Sequence, residues 1–496
     1  MLPLLFAIIP SASLSAQTAA PAATHVSAAA HAAPPTLPAL FLSDIHLDPF
    51  IDPTKAVALN AAPASQWSSI LAAPAGPALT PAQQSSFAAC YDGPDTSYAL
   101  WQSTLTELKK TATSSRFVVI SGDLLAHKFD CKYRALVPTA TAASYLDFTA
   151  KTVDYILSTL HTALPDIPIY TALGNNDSGC VDYALDATRD GFLARLAPLV
   201  ASLAQLTPAT RTSAEHDFAA LGSFSAPLAP LPHTRVLVLD DLFFSAKYVT
   251  CAGSPDPAPA AAALAWLNAQ LASARTAHDR VWVVGHIPPG VDLYATARKL
   301  TNVCGGKKPT MFLGSEALAE TLAANADIIP LALFGHTHDD ELRLLAPESA
   351  STAASHPQSL GVPLKVVSSI TPVHGNRPTF TLAKVDPSTS TLIDYTVIKA
   401  SDPTQSPIAW SPEYTYSTAY SEPAFDPASL TALIAGFQAD PAAKTSASQS
   451  YLRAYFPSDG AAATDNAAVI SAAWQPYACS LTHDSAKSFA ACACTK

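Results

Sequence analysis

An α/β fold is predicted for this 496-residue chain, and two observations carry the prediction. Five short apolar runs each stop at a Gly, Asp, His or Asn: LPALFLSDIH, RFVVISGD, IPIYTALGNND, RVWVVGH and LALFGHTH. Between them lie segments with helical spacing of apolar residues, such as TSYALWQSTLTELKKTA, SYLDFTAKTVDYILSTLHTAL and PAAAALAWLNAQLASARTA. Strands alternating with helices of this length make an α/β core, whose ligands collect where loops follow the carboxyl ends of strands. Apolar residues make up 49% of the chain and charged ones 14%, ample for one large domain with additions or for two to three domains.

At the N-terminus, MLPLLFAIIPSASLSAQ is a short apolar run followed by small residues, which reads as a secretory signal over 1–16. The Ala- and Pro-rich stretch 17–37 lacks the apolar content to order itself and reads as a linker. No later apolar run reaches the roughly 20 residues that span a bilayer, so no transmembrane anchor is expected. The formal charge of −11 speaks against nucleic acid or an anionic membrane as partner. Eight cysteines form an even set, so an exported chain is expected to pair them. Cys492 and Cys494 lack a CxxC partner, and pairing with Cys479 or another loop is expected rather than metal binding.

The strand ends hold the chemistry. Asp44, His46, Asp123, Asn175, His286, His336 and His338 supply carboxylate, imidazole and amide oxygen without a thiolate. This donor set suits Zn²⁺, Mn²⁺ or Fe, and is large enough for two ions sharing a carboxylate. Each motif alone has an ordinary reading: SGD is a common turn, and a lone His often caps a strand. Asn175 and Asn176 by themselves are turn residues, ligands, or one of each. Five such endings in one chain are hard to obtain by accident.

In order, the endings resemble the signature of the calcineurin-like metallophosphoesterases: D-x-H, G-D-x-x, G-N-H-D or G-N-H-E, G-H, and G-H-x-H. The resemblance covers residues 38–400. It implies a four-layer sandwich of two mixed sheets flanked by helices. Carried over by position, Asp44, His46 and His338 hold one divalent ion, Asn175, His286 and His336 hold a second, and Asp123 bridges both. The implied reaction is hydrolysis of a small-molecule or lipid phosphoester by a hydroxide between the ions. Zinc is the expected ion in an exported setting, with manganese and iron fitting the same donors. The expected protein is a secreted or periplasmic monomer.

Further blocks are similar to the acid sphingomyelinase-like phosphodiesterase branch. SGDLLAH sets His127 four residues after Asp123, where that branch has a candidate catalytic acid. SSITPVHGNRPTF resembles its TP…GN block and makes His374 a second candidate substrate contact. The departure is Asn176, which stands where most of the family has a phosphate-binding, proton-donating histidine. An amide can donate a hydrogen bond to a phosphoryl oxygen but supplies no proton near neutral pH. The endopolyphosphatases, relatives of the branch, share the GNND form. Polyphosphate or nucleoside polyphosphate is therefore an alternative substrate, and a catalytically weak protein binding a phosphorylated ligand is a third reading. Purple acid phosphatases are set aside, because LLAHKF after Asp123 offers no tyrosine. Residues 401–496 read as an extended wrap followed by helices, with Cys479 stapled to Cys492 or Cys494.

Overall fold

The computed structural model describes residues 36–187, 191–297, 299–347, 361–458 and 470–494. The expected signal 1–16 and all but the last two residues of the expected linker lie outside these. Among the described residues, the strands form two six-stranded mixed sheets. In the first, β1 (Leu37–Leu42), β2 (Val118–Ser121) and β3 (Ile169–Ala172) run parallel. β10 (Thr379–Val385), β11 (Leu392–Ala400) and β12 (Trp410–Thr415) extend it antiparallel from β1. In the second, β5 (Thr234–Val238), β6 (Arg280–Val284), β7 (Leu331–Phe334) and β9 (Val362–Val366) are parallel. Its edges, β4 (Phe224–Pro227) and β8 (Glu341–Leu345), are antiparallel.

The central strands β1, β2, β3, β6 and β7 read as largely apolar runs because both of their faces are buried. On β6, Val281 and Val283 turn outward into a cluster with Leu267 and Leu271 of the helix Ala258–Ala277. Trp282 and Val284 turn the other way, into the core between the sheets. There Trp282 meets Phe41 and Phe117 from the first sheet, with ring centroids 6.0 and 5.5 Å apart. The segments with helical spacing are helices. Tyr98–Thr111 buries Leu100, Trp101, Thr104, Leu105 and Leu108 and is capped by Ser97, which accepts from the Leu100 amide at 3.1 Å. Ala142–Ala163 lies beside it, with Thr141 capping through Ser144. No helix among the described residues is long and apolar enough to cross a membrane.

All eight cysteines are paired, as Cys90–Cys131, Cys180–Cys251, Cys304–Cys494 and Cys479–Cys492. Cys479 thus takes Cys492, while Cys494 reaches back to the helix Leu300–Cys304. Beyond residue 400, β12 supplies an edge strand of the first sheet. The helices Pro427–Gln438, Ser446–Tyr455, Trp474–Ser480 and Ala486–Ala493 follow. Part of the helical stretch expected before Cys479 lies outside the described residues. An open strand edge is a template for unwanted pairing, and here the C-terminal region covers β8. The Leu344 amide donates to the Leu481 carbonyl at 2.8 Å, and the Asp340 amide beside the strand donates to the Tyr455 carbonyl at 2.7 Å.

On β8, the buried Arg343 guanidinium donates to Glu341 Oε2 at 2.6 and 2.9 Å and to the Pro289 carbonyl at 3.0 Å. Breaking a buried pair strands a charge, whereas replacing both partners does not. Arg343→Met is expected to cost about 3–5 kcal/mol in urea unfolding, and Glu341→Leu/Arg343→Met to recover most of it. Equal losses in the two variants would show that packing, not the charge pair, is what matters there.

Candidate metal centre

The five strand endings meet at one place because β1, β2 and β3 are parallel neighbours in one sheet and β6 and β7 are parallel neighbours in the other. Asp44 and His46 follow β1, Asp123 follows β2, Asn175 follows β3, His286 follows β6, and His336 and His338 follow β7. Backbone conformation aims them. Asp44, His46, Asp123, His336 and His338 have φ of 47°, 43°, 54°, 74° and 64°, in the left-handed region that non-glycine residues seldom occupy. Five of the seven expected ligands therefore hold a strained backbone, the kind of outlier that clusters at functional sites.

Asp123 is at the centre. Its Oδ2 lies 3.4 Å from His46 Nε2 and 3.2 Å from His286 Nε2. Asp44 Oδ1 lies 3.7 Å from His46 Nε2 and 3.3 Å from His338 Nε2. On the other side, Asn175 Oδ1 is 3.2 Å from His286 Nε2. The Asn175 amide nitrogen donates to Asp182 at 2.7 Å, which turns its oxygen toward the cluster. Donor atoms of Asp44, His46 and Asp123 lie within 4.8 Å of one another, as do those of Asp123, His286 and His336.

The imidazoles are prepared to be ligands. His46 Nδ1 donates to the Leu125 carbonyl at 2.8 Å and His286 Nδ1 to the Ser121 carbonyl at 2.7 Å, which leaves each Nε2 facing the carboxylates. Such a backbone tether is the usual partner of a metal-bound histidine. The buried His46 Nε2 has no hydrogen-bond partner. Burial is the largest single influence on the His46 and His286 imidazoles and lowers both, but Asp123 and the neighbouring carboxylates, Asp44 and Asp95 for His46 and Asp44 and Asp241 for His286, together outweigh it and raise them to about 9 and about 10. Asp123, despite its burial, is held well below the usual carboxylate range by His286 and His46. Burial, followed by the charge of His286, pushes His336 down to about 3. Burial and the His46 charge push His338 well below its usual value. The carboxylates favour positive charge at this locus, whether as imidazole protons or as a cation that displaces them, and these donors fit a divalent metal.

The outer residues hold the loops. Asp177 accepts from the amides of Leu124, Leu125 and Gly174 at 2.8, 2.9 and 2.9 Å, locking the loops after β2 and β3 together. Asp241 accepts from the amides of His286 and Ile287 at 2.8 and 2.9 Å. Sequence reasoning named neither as a positioning group. Asp241 was open to discovery, since VLVLDD is another apolar run that stops at an acid. Tyr183, whose hydroxyl lies 3.3 Å from His336 Nε2, follows no strand and gave no signal.

Asn176 turns inward: its backbone amide donates to Asp123 Oδ1 at 2.8 Å and its Nδ2 to Asp123 Oδ2 at 2.9 Å. His127 is half-buried and stacks on His46 with centroids 4.1 Å apart and planes at 17°. Its Nδ1 lies 2.9 Å from Asp95 Oδ1, and Asp95 is another residue that no strand pattern revealed. His374 is exposed, 4.9 Å from the His338 ring and 6.2 Å from that of His127.

Two facing mixed sheets with an oxygen-and-nitrogen metal site at their strand ends define the class of this protein. The calcineurin-like phosphoesterase family model matches residues 37–340, and the chain belongs to that family. Sphingomyelinase phosphodiesterase D of Dictyostelium discoideum is 26% identical over 311 residues, covering 61% of this chain and 60% of that protein. Cyclic GMP-AMP phosphodiesterase SMPDL3A of Mus musculus is 24% identical over 352 residues, 69% of this chain and 71% of that protein. Acid sphingomyelinase-like phosphodiesterase 3b of Homo sapiens is 24% identical over 347 residues, 66% and 67% respectively. The chain thus spans about three-fifths of the length of the Dictyostelium relative, and its relatives carry the name of the branch that the sequence resembles.

Backbone approach limits what can stand beside the acids. A Cβ at Gly174 would overlap the Asp123 carboxylate and lie 2.6 Å from the Asp123 amide nitrogen. Gly174→Ala is expected to lower metal affinity about 10–100-fold, read by titration calorimetry with a divalent ion. Gly436→Ala, where a Cβ meets nothing within 4 Å, is the control and should leave affinity unchanged. Undiminished affinity in Gly174→Ala would mean that the Asp123 position is unimportant for the ion.

Proposed function

We propose that this chain is an exported phosphoesterase that hydrolyses phosphodiester or phosphoanhydride bonds with two divalent ions, zinc by preference. The observation that carries the reading is the double use of Asp123 Oδ2, which faces His46 Nε2 from one donor group and His286 Nε2 from the other. Asp44, His46 and His338 would hold one ion, Asn175, His286 and His336 the second, and Asp123 both. When bound, such ions supply Lewis acidity: they lower the pKa of a water toward about 7 and neutralise charge on phosphoryl oxygens. Four disulfides support an oxidising compartment, and the apolar N-terminal run supports export.

The chain's own residues then do the rest. Asn176 holds both Asp123 oxygens and so orients the shared carboxylate. His127, tethered to Asp95 through Nδ1, would pass a proton to a leaving oxygen through Nε2. His374 lies at the same end, near His127 and His338, where it can contact the outer part of a substrate.

Asn176 also favours a second reading, in which the preferred bond is an anhydride. A phosphoanhydride leaves without much help from an acid, whereas an alkoxide needs it, and general-acid help is worth roughly 10²–10⁴-fold. The small-molecule substrate would then be polyphosphate or a nucleoside polyphosphate.

Asp123→Asn is expected to abolish hydrolysis of an aryl phosphodiester by metal-replete protein, and near-normal turnover would sink the phosphoesterase reading. Removing the ions with a chelator should abolish the same activity and lower the unfolding temperature, since a ligand bound only to the folded state stabilises it. Asn176→His should raise turnover of an alkyl phosphodiester more than of an anhydride. Equal gains on both would count against the anhydride preference.

A further inference from the structure

On that reading His127 is the acid, and a buried carboxylate behind it gives the ring a defined direction. Asp95 lies between Cys90 and the helix Tyr98–Thr111, and its carboxylate is fully buried. Four donors converge on it. His127 Nδ1 and Thr371 Oγ1 lie 2.9 and 3.0 Å from Oδ1. The His127 backbone amide and Lys132 Nζ lie 2.9 and 3.5 Å from Oδ2. Lys132, itself buried, is held in turn by Asp48 Oδ2 at 2.7 Å. Cys131, next in the chain to Lys132, is tied to Cys90, so a disulfide closes the segment that carries Asp95 and the helix that carries Lys132. A buried Asp–Lys–Asp chain that costs desolvation needs a reason, and the one exposed end of the chain is the His127 ring.

The geometry points to Asp95 as a positioning residue that fixes the ring plane and the tautomer of His127. The tether at Nδ1 and the stack on His46 remove both ways in which the ring could turn. Nε2 is left as the only nitrogen able to meet a substrate. In the step, the bond between phosphorus and the leaving oxygen breaks, and that oxygen keeps the electron pair and takes the Nε2 proton. Nε2 retains the electron pair of its N–H bond as a lone pair, while the Nδ1 proton stays on the hydrogen bond to Asp95 before and after. The new bond to phosphorus comes from the oxygen of water, and a water proton later restores Nε2. The arrangement uses the same division of labour as a carboxylate–histidine pair in acyl transfer, where the acid orients and never accepts the proton.

A competing role exists for the same pair. Nitrogens of His46, His127 and His338 lie within 4.8 Å of one another, so His127 could serve as a metal ligand with Asp95 as its tether. The experiment separates the two. Turnover of a para-nitrophenyl ester and a methyl ester of the same phosphoryl group is measured for wild type, Asp95→Asn, His127→Asn and the double variant, with zinc content by elemental analysis. Expected is a loss in Asp95→Asn of roughly 10²–10⁴-fold on the methyl ester, with a far smaller loss on the nitrophenyl ester. The double variant should be no worse than His127→Asn, and zinc content should be unchanged throughout. Thr371→Val, which removes one donor and keeps the shape, should give a weaker split in the same direction. Equal losses on both esters, additive losses in the double variant, or a fall in zinc content would overturn the positioning role. A wild type that hydrolyses neither these esters nor a phosphoanhydride would instead remove the proposed function itself, and one that hydrolyses only the anhydride would overturn the acid role of His127.

Discussion

The Asp123 carboxylate is buried between the Nε2 atoms of His46 and His286, at 3.4 and 3.2 Å, and most of the surrounding structure bears on keeping it there. A buried acid is costly unless its charge is met. Here it is met by imidazoles from both sheets, by two N–H groups of Asn176, and by the donor set's capacity for a cation. The loops that bring these groups in are themselves fastened by buried acids, Asp177 between the endings of β2 and β3 and Asp241 behind the ending of β6. Removing Asp123 from this picture leaves those acids and strained backbone turns without a common purpose.

Why five of the seven proposed ligands sit on left-handed residues follows from the same constraint. A strand projects side chains perpendicular to the sheet, whereas the donors must point forward, past the strand ends, toward one locus. A single residue with positive φ after the strand redirects the chain within one or two positions. Asp and His tolerate that conformation better than β-branched residues, so the residue types that bind metal also suit the turn. Gly174 and Gly335 then allow neighbouring backbone to approach the Asp123 and Asp44 carboxylates where any side chain would collide. The cross-sheet bond from His286 Nδ1 to the Ser121 carbonyl, at 2.7 Å, makes a ligand double as a brace between the two sheets.

This explains what was legible in the sequence. Strand endings could be read because the apolar runs before them are buried on both faces, and the residue that stops each run is the one with chemistry. The helices at 98–111 and 258–277 could be read from their spacing. Groups that act by holding others could not. Asp95 comes from a loop with no periodic neighbours, and its partners His127, Lys132 and Thr371 are 32, 37 and 276 residues away. The helices of the C-terminal region and its Cys479 staple could be read, but its cover of β8 could not, because that rests on backbone bonds to the Tyr455 and Leu481 carbonyls, which leave no residue signature. Cys494 illustrates the same point: its partner Cys304 is 190 residues away, set by the fold and not by spacing.

Asn176 is where these lines meet. A histidine at this position could reach toward substrate and carry a proton, but the asparagine is turned onto Asp123, with its amide nitrogen 2.9 Å from Oδ2. Its contribution is then to the orientation of the Asp123 carboxylate, and the proposed function assigns proton supply to the other end of the site. There His127 is stacked, tethered at Nδ1 and backed by a buried chain of charges, an investment that a surface histidine would not need. One end of the site has gained an orienting amide in place of an acid, and the other concentrates its buried charge on a single imidazole. In the proposed reading, a site built this way has its proton donor on one side only, so a leaving group would depart toward His127 or without protonation. Substrate choice would then turn on which of those two exits the scissile bond can use.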